Sequence, residues 1–336
     1  MLNIGVIGYG YWGPNMVRNF SEASGSSVVM VCDSRSERLS QARSRYAAME
    51  TTADANELIR NPSVDAVVIA TPVATHFDLA LNALKAGKHV LVEKPLTATA
   101  QQSLRLIEEA DRSRRVLMVD HTFVYTGAVR KIKELVSSGQ IGDIYYYDSV
   151  RVNLGLFQHD VSVVWDLAVH DLSIMDYVMS SQPVAVSATG MGHVLDKPED
   201  VAYLTLYFKN RLIAHIHVNW LAPVKIRRTL IGGSKKMIVY DDLEPSEKIK
   251  VYDKGITVTD NPESQYQLLI AYRAGDMWAP QIDLTEALRM EAAHFINCIE
   301  NGEHPTTDGQ SGLNIVRILE AASRSIQERG HPIALD

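Results

Sequence analysis

Gly8-Tyr9-Gly10-Tyr11-Trp12-Gly13 lies between an apolar run, Leu2–Ile7, and a segment carrying Val17 and Phe20 at helical spacing. A G-x-G-x-x-G alone is a weak signal. Here a second β-branched run (Val28–Cys32) and then an acid follow, which is the context that gives the glycines a meaning. Gly8 permits a tight turn, Gly10 lets the backbone approach a pyrophosphate, and Gly13 lets helix and strand pack closely. The anion would rest on the helix N-terminus, where unpaired N–H groups and the dipole favour it. Pro14 costs nothing there, because its missing N–H would be an orphan anyway. Tyr11 and Trp12 belong to the same cradle. Asp33 ends the second run, twenty positions after Gly13. Its carboxylate can accept from adenosine ribose hydroxyls and would repel a 2′-phosphate. Ser34 and Arg38 flank that edge. NAD is therefore expected ahead of NADP, with Arg35 and Arg38 as the residues that would favour NADP.

The first ~120 residues read as continuously apolar strands separated by helices, the pattern of a parallel sheet covered on both faces. Later the rhythm changes: Ile144–Val152 begins a series of long strands, with Lys209-Asn210 and Gly232-Gly233 as hairpin turns. Two helices close the chain, over Asp283–Asn301 and Gly309–Arg329. The expectation is a doubly wound α/β domain over 1–122, then an α+β domain over 123–336 built on a large, mostly antiparallel open sheet. The terminal helices are candidates to pack back on the first domain. Two cysteines exclude a disulfide framework or a cysteine zinc cluster, and no paired histidines carry metal-ligand spacing. No run approaches the ~18 apolar residues of a membrane span, and Leu2–Ile7 lacks the basic region, long apolar run and cleavage site of a signal peptide, so none is expected. A cytoplasmic protein is the default. A net charge of −7 gives no reason to expect nucleic acid as partner.

Ligands of such sheets sit at the carboxyl ends of the strands. Glu93-Lys94-Pro95 closes the fourth strand there, and Thr71-Pro72 with His76 closes the third. Further on, Asp166 and His170 in Trp165-Asp166-Leu167-Ala168-Val169-His170-Asp171 are four apart, which on a helix puts both on one face. A carboxylate so placed would orient and charge-stabilise an imidazole acting as general acid–base. A satisfied histidine with a capping aspartate is the plainer alternative.

Together, Gly8-x-Gly10-x-x-Gly13, Thr71-Pro72 with His76, Gly87-Lys88-His89-Val90, Glu93-Lys94-Pro95, Asp166-x-x-x-His170-Asp and Pro305-Thr306-Thr307-Asp308-Gly309 resemble the Gfo/Idh/MocA oxidoreductase family. The resemblance implies a Rossmann domain, an α+β domain whose open sheet serves as an oligomer interface, and reversible hydride transfer between a nicotinamide and a sugar, inositol or related carbinol. It implies that Lys94 hydrogen-bonds the reacting hydroxyl and helps place the nicotinamide, and that His170 takes the hydroxyl proton with Asp166 beside it. It leaves open which of Lys94 and His170 is the base. Two departures stand near the implied substrate: Val163, Val164 and Trp165 where many members carry glycines, and Val124 where many carry arginine.

Trp12-Gly13-Pro14-Asn15, His121-Thr122-Phe123, Arg151-Val152-Asn153-Leu154-Gly155 and Trp165-Asp166-Leu167 resemble the nucleotide-sugar dehydrogenase branch, which implies oxidation at C3 of a UDP-N-acetylhexosamine or its uronic acid. Arg151 and Asn153 alternate on a strand and so share a face. Arg151 reads either as a bidentate grip on a carboxylate or phosphate or as a plain sheet arginine. Asn153 and Trp165 read as substrate contacts. Lys225, Arg227 and Arg228 read either as a diphosphate patch or as a solvated strand end, and His159-Asp160 and His170-Asp171 as pocket polarity. A dehydrogenase of a free polyol or deoxysugar is the alternative substrate class. A non-catalytic nicotinamide-binding regulator would be expected to lose Lys94 or His170, and both are present. A homodimer or homotetramer is implied by the resemblance.

Overall fold

The computed structural model describes residues 1–155, 161–194, 198–258 and 270–335, and divides into two compact units. Unit 1 comprises Met1–Thr126 and Thr285–Glu320; unit 2 comprises Gly127–Leu284 and Ala321–Asp336.

Unit 1 begins with β1 (Leu2–Ile7), α1 (Gly13–Glu22), β2 (Ser26–Cys32), α2 (Ser36–Arg45), β3 (Glu50–Thr52) and α3 (Ala55–Arg60). It continues with β4 (Ala66–Ile69), α4 (Val73–Lys85), β5 (His89–Glu93), α5 (Ala100–Ser113) and β6 (Leu117–Asp120). The six strands pair in parallel in the order β3-β2-β1-β4-β5-β6. Ile4, Val6, Val67, Val68, Leu91 and Val119 are fully buried, as expected of strands covered on both faces. β3 is absent from the sequence reading. It is a three-residue edge strand, Glu50-Thr51-Thr52, with no apolar run to announce it.

Unit 2 opens with α6 (Gly127–Ser137), β7 (Ile144–Val152), α7 (Val169–Val178), β8 (Pro183–Met191), β9 (Val201–Phe208) and β10 (Ile213–Asn219). There follow β11 (Ile226–Gly233), β12 (Met237–Asp241), β13 (Ile249–Tyr252), β14 (Gly255–Val258), β15 (Ile270–Arg273) and β16 (Met277–Trp278). The chain closes with α8 (Ala287–Asn301), α9 (Gly309–Gln327) and β17 (Ile333–Ala334). The large sheet has nine strands, ordered β16-β13-β12-β11-β7-β10-β9-β8-β17. Every neighbouring pair in it is antiparallel except β7 with β10. β9 and β10 alternate: Leu204, Leu206, Ala214 and Ile216 are buried, while Tyr203, Tyr207 and Ile213 face outward. The Gly232-Gly233 hairpin is displaced by two residues. Both glycines lie inside β11, Ser234-Lys235 forms the turn, and the Gly233 amide donates to the Lys236 carbonyl at 3.0 Å.

α8 packs within unit 1, where Phe295 meets Phe20 of α1 edge-on at 6.0 Å. α9 begins in unit 1 and ends in unit 2.

Candidate active-site residues

The glycine loop of unit 1 divides its glycines by job. Gly8 has φ +98°, and a Cβ there would sit 2.4 Å from the Ala70 carbonyl oxygen. A Cβ on Gly13 would lie 2.1 Å from the Gly8 carbonyl oxygen, so the helix start could not close on the strand. Gly10 differs: a Cβ would meet only Arg35 Nη2, at 3.6 Å. Among the described residues no atom requires glycine at that position, and the space beside it is what a close-approaching pyrophosphate would use. α1 starts without a side-chain cap and without an acid in its first turn, so its leading N–H groups keep their affinity for an anion. These residues fit a dinucleotide.

Asp33 follows β2 and is 6% exposed. Its Oδ2 accepts the Tyr9 amide at 2.8 Å and Arg35 Nη2 at 3.2 Å; its Oδ1 accepts the Arg35 amide at 2.9 Å and Nε at 3.0 Å. Burial alone would raise the carboxyl's pKa. The Arg35 guanidinium and the two amides outweigh it and hold the group below the ordinary aspartate range. Ser34 is exposed, and Arg38 donates to Gln41 at 3.1 Å. Tyr11 is 84% exposed and stacks on Trp12, with centroids 6.4 Å apart.

His76 of α4 is completely buried, with Nδ1 2.9 Å from the Pro95 carbonyl and Nε2 2.8 Å from the Thr71 carbonyl. The ring ties together the segments that follow β4 and β5. Burial, with the Lys94 charge adding to it, pushes its pKa below the usual histidine value against the pull of those carbonyls. His76 thus supports the loops at the ligand edge rather than presenting a free ring to a ligand. Thr71 Oγ1 pairs with Thr75 Oγ1 at 2.7 Å, and Pro72 is exposed beside it. Glu93 and Lys94 are half-buried at the end of β5.

In unit 2, Asp166 sits in a single π-helical turn, Val164–Ala168, that runs into α7, which carries His170. Such turns occur often at functional sites. Trp220, 1% exposed at the end of β10, donates its indole N–H to Asp166 Oδ2 at 3.2 Å. Trp165 donates to Ser323 at 2.9 Å. Asn153 follows β7 and donates its amide to the Asn219 carbonyl at 3.0 Å. Arg151 is 3% exposed, with Nε 2.6 Å from Asp171 Oδ2; Asp171 also accepts Ser149 Oγ at 2.5 Å. The guanidinium is thus occupied by a buried carboxylate. Arg227 and Arg228 are likewise paired, with Asp242 at 3.1 Å and Asp241 at 2.8 Å, which makes that cluster an ion-paired strand rather than an open cationic patch. Val163, Val164 and Val124 are buried in packing, at 0%, 0% and 2% exposure, not on a surface that could line a substrate. His159-Asp160 lies outside the described residues. Among the described residues, no group of three or more His, Cys, Asp or Glu is placed to hold a metal ion. Among the described residues, no helix is long and apolar enough to cross a membrane.

Sequence reasoning missed the roles of Trp220 and Asp120, and it read Asp171 as pocket polarity where the structure buries it against Arg151. Each acts through a partner remote in sequence, and no local pattern marks such a residue.

Two family models match the chain: the oxidoreductase family with NAD-binding Rossmann fold over residues 2–121, and the GFO/IDH/MocA C-terminal domain over 129–239. Two Bacillus subtilis relatives are each 25% identical. They are a scyllo-inositol 2-dehydrogenase (NAD(+)), covering 100% of this chain and 95% of that protein, and a scyllo-inositol 2-dehydrogenase (NADP(+)), covering 98% and 94%. The UDP-N-acetylglucosamine 3-dehydrogenase of Acidithiobacillus ferrooxidans is 27% identical over 96% of this chain and 95% of its own. Its solved structure superposes with a TM-score of 0.83, at 23% identity, over 97% and 98% of the two chains. With both domains matched in order, the chain belongs to the Gfo/Idh/MocA oxidoreductase family.

Proposed function

We propose that this oxidoreductase removes a hydride from a secondary carbinol of a polyol or sugar, with NAD as acceptor, and runs reversibly. The observation that carries the cofactor half is the space above Gly10 beside an uncapped helix start. NAD supplies the hydride-accepting carbon. Lys94 Nζ donates a hydrogen bond to the reacting oxygen and stabilises its developing negative charge. As the carbinol C–H bond breaks with its electron pair, the O–H bond breaks toward His170 and the carbon–oxygen double bond forms. Asp166, held by the Trp220 indole, orients and charge-stabilises that imidazole.

Two readings of the substrate remain. A UDP-N-acetylhexosamine or its uronic acid is supported by the Acidithiobacillus relative and by the branch resemblance. A free, uncharged polyol such as an inositol is supported by the Bacillus relatives. It is also supported by the arginines: Arg151, Arg227 and Arg228 are all engaged by carboxylates and so are poorly placed to read a diphosphate. We favour the free polyol. The outward face of the large sheet, with Tyr203, Tyr207 and Ile213 exposed, supports a homodimer or homotetramer.

The experiment is NADH formation with scyllo-inositol, myo-inositol, free hexoses and UDP-N-acetylglucosamine, each on wild type, Lys94→Ala and His170→Ala. Each substitution is expected to lower kcat about 100- to 10,000-fold while NAD affinity stays within a few-fold. Unaltered turnover in Lys94→Ala would sink the mechanism, and turnover only with the nucleotide sugar would reverse the substrate choice.

A further inference from the structure

Three acids crowd the carboxyl edge of the unit 1 sheet. Glu93 and Asp120 end β5 and β6 and are register partners. Glu291 reaches the same place from α8, where it lies against Asp120, Glu93 and the His121 backbone. Asp120 is 1% exposed, and both its oxygens are engaged: Trp12 Nε1 donates to Oδ2 at 2.6 Å and Thr122 Oγ1 to Oδ1 at 2.5 Å. Glu291 is 0% exposed, and neither of its oxygens meets a donor. An ionised carboxylate in that position would be buried, without a donor, beside a second carboxylate, at a cost no packing offsets. A proton on Glu291 removes the difficulty, because the protonated acid has an O–H to give and Asp120 has lone pairs to receive it. Burial first, then the Asp120 charge, raises the Glu291 pKa well above the ordinary range.

The His121 backbone N–H, which pulls the Glu291 pKa down, is bonded to the Val119 carbonyl at 2.8 Å, and among the described residues no side chain adds a further donor. His121 is 1% exposed, its two ring nitrogens have no partner, and burial with the Lys94 charge pushes its pKa down to about 3. Tyr125 is occupied by Thr307 at 3.0 Å, and Glu291 and Asp120 both help raise its pKa. On α8, His294 and Cys298 turn to each other. Lys94 follows Glu93 on the remaining side.

We propose that Glu291 is a positioning residue for hydride transfer: it stays protonated, donates to Asp120, and through Asp120 fixes the Trp12 indole of the glycine loop beside the strand end that carries Lys94. This rests on the reading that the loop holds the dinucleotide. A proton on Glu291 removes one of the three negative charges that would otherwise crowd beside Lys94, and the pair ties α8 to the loop whose shape receives the pyrophosphate. Only the position of the shared proton distinguishes this from plain packing.

The test is made first on the protein without cofactor, so that a failure of the NAD reading stays separate. At about pH 8 an ordinary glutamate is ionised. The infrared carbonyl band of a protonated carboxylic acid should be present in wild type and lost in Glu291→Gln. An identical band in both would overturn the proposal. The Trp12 indole N–H resonance, assigned by its loss in Trp12→Phe, should be unmoved in Glu291→Gln, which keeps a donor. It should shift in Glu291→Leu, which keeps volume without one. With NAD added, Glu291→Gln should keep KM for NAD within about twofold and preserve the pH profile of kcat. Glu291→Leu should raise KM roughly tenfold, the effect of one lost hydrogen bond to a charged group. Equal resonances and KM values in Gln and Leu variants would reduce Glu291 to a packing residue. If Glu291→Leu does not fold, the infrared comparison and the KM of Glu291→Gln still decide. Absence of NAD binding by wild type would sink the cofactor reading and leave the proton on Glu291 untouched.

Discussion

Asp33 accepts four donors, from Tyr9 and from three nitrogens of Arg35, and a carboxylate has about four lone-pair positions to give. A ribose diol therefore gains this carboxylate only if Arg35 lets go. The Arg35 side chain is 54% exposed and can swing into solvent, but the Asp33 side chain is 5% exposed, so the ribose hydroxyls must replace the hydrogen bonds that Arg35 gives up. A 2′-phosphate asks the opposite of the same pair: Arg35 stays over Gly10 and presents its fork to the phosphate. If the loop holds the dinucleotide, this one side chain is expected to decide between the cofactors. Arg35→Gln is expected to keep KM for NAD within about threefold and to raise KM for NADP at least roughly tenfold, the effect of one lost charge-assisted pair. Steady-state kinetics with both cofactors checks this. An unchanged NAD to NADP preference in Arg35→Gln would show that the arginine does not reach the ribose.

At the scale of elements, the Arg151–Asp171 pair pins β7 to α7 inside unit 2, with Ser149 and the Tyr147 hydroxyl bonding to the same aspartate. Removing one partner strands the other as a buried charge. Arg151→Met should cost about 3–5 kcal/mol in denaturant unfolding, and Arg151→Met with Asp171→Leu should recover much of it. If Arg151→Met instead leaves stability alone and raises substrate KM, the arginine touches substrate. This pair also marks how far a sequence carries. Alternation correctly places Arg151 and Asn153 on one side of a strand, but the pleat does not say which side is the core. The strands β1, β2, β4, β5 and β6 are legible because burial on two faces demands unbroken apolar runs, whereas β3, at an edge, needs none. The Asp166–His170 spacing is legible as helix, yet the turn between them is π-helical, a difference of backbone winding that side-chain identity does not encode. Asp120 holding Trp12, 108 positions away, and Glu291 beside Asp120 depend on tertiary folding, and no local pattern reports them.

For the whole molecule, net charge is a poor guide both to its ligand and to its response to acid. The excess of carboxylates gives −7, yet the feature that fits a dinucleotide is an uncapped helix start after a glycine loop. Between pH 7 and 5 ordinary carboxylates stay ionised, so buried histidines govern the acid side of stability. Burial depresses His121 to about 3 and, with the Arg115 charge, His89 to about 4, from an ordinary 6.5. Their folded pKa values lie below the unfolded ones, so the stability they contribute is complete above about 6.5 and is lost as pH falls toward the folded values. At pH 5 the unfolded chain binds these protons and the folded chain does not, a loss of roughly 2 kcal/mol for each ring. Glu291 runs the other way. Its folded pKa is raised, so its stability contribution is fully present below the ordinary glutamate value and erodes as pH rises. Acidification from 7 to 5 therefore sets a loss of about 4 kcal/mol from these two rings, to which His76, His217 and His294, also lowered by burial, add, against a gain at Glu291. Glu291→Gln deletes only the gain. Its unfolding midpoint should fall more steeply than that of wild type over this range, and it should compare best with wild type at the alkaline end. Parallel midpoint curves for the two proteins would mean that Glu291 holds no proton when folded.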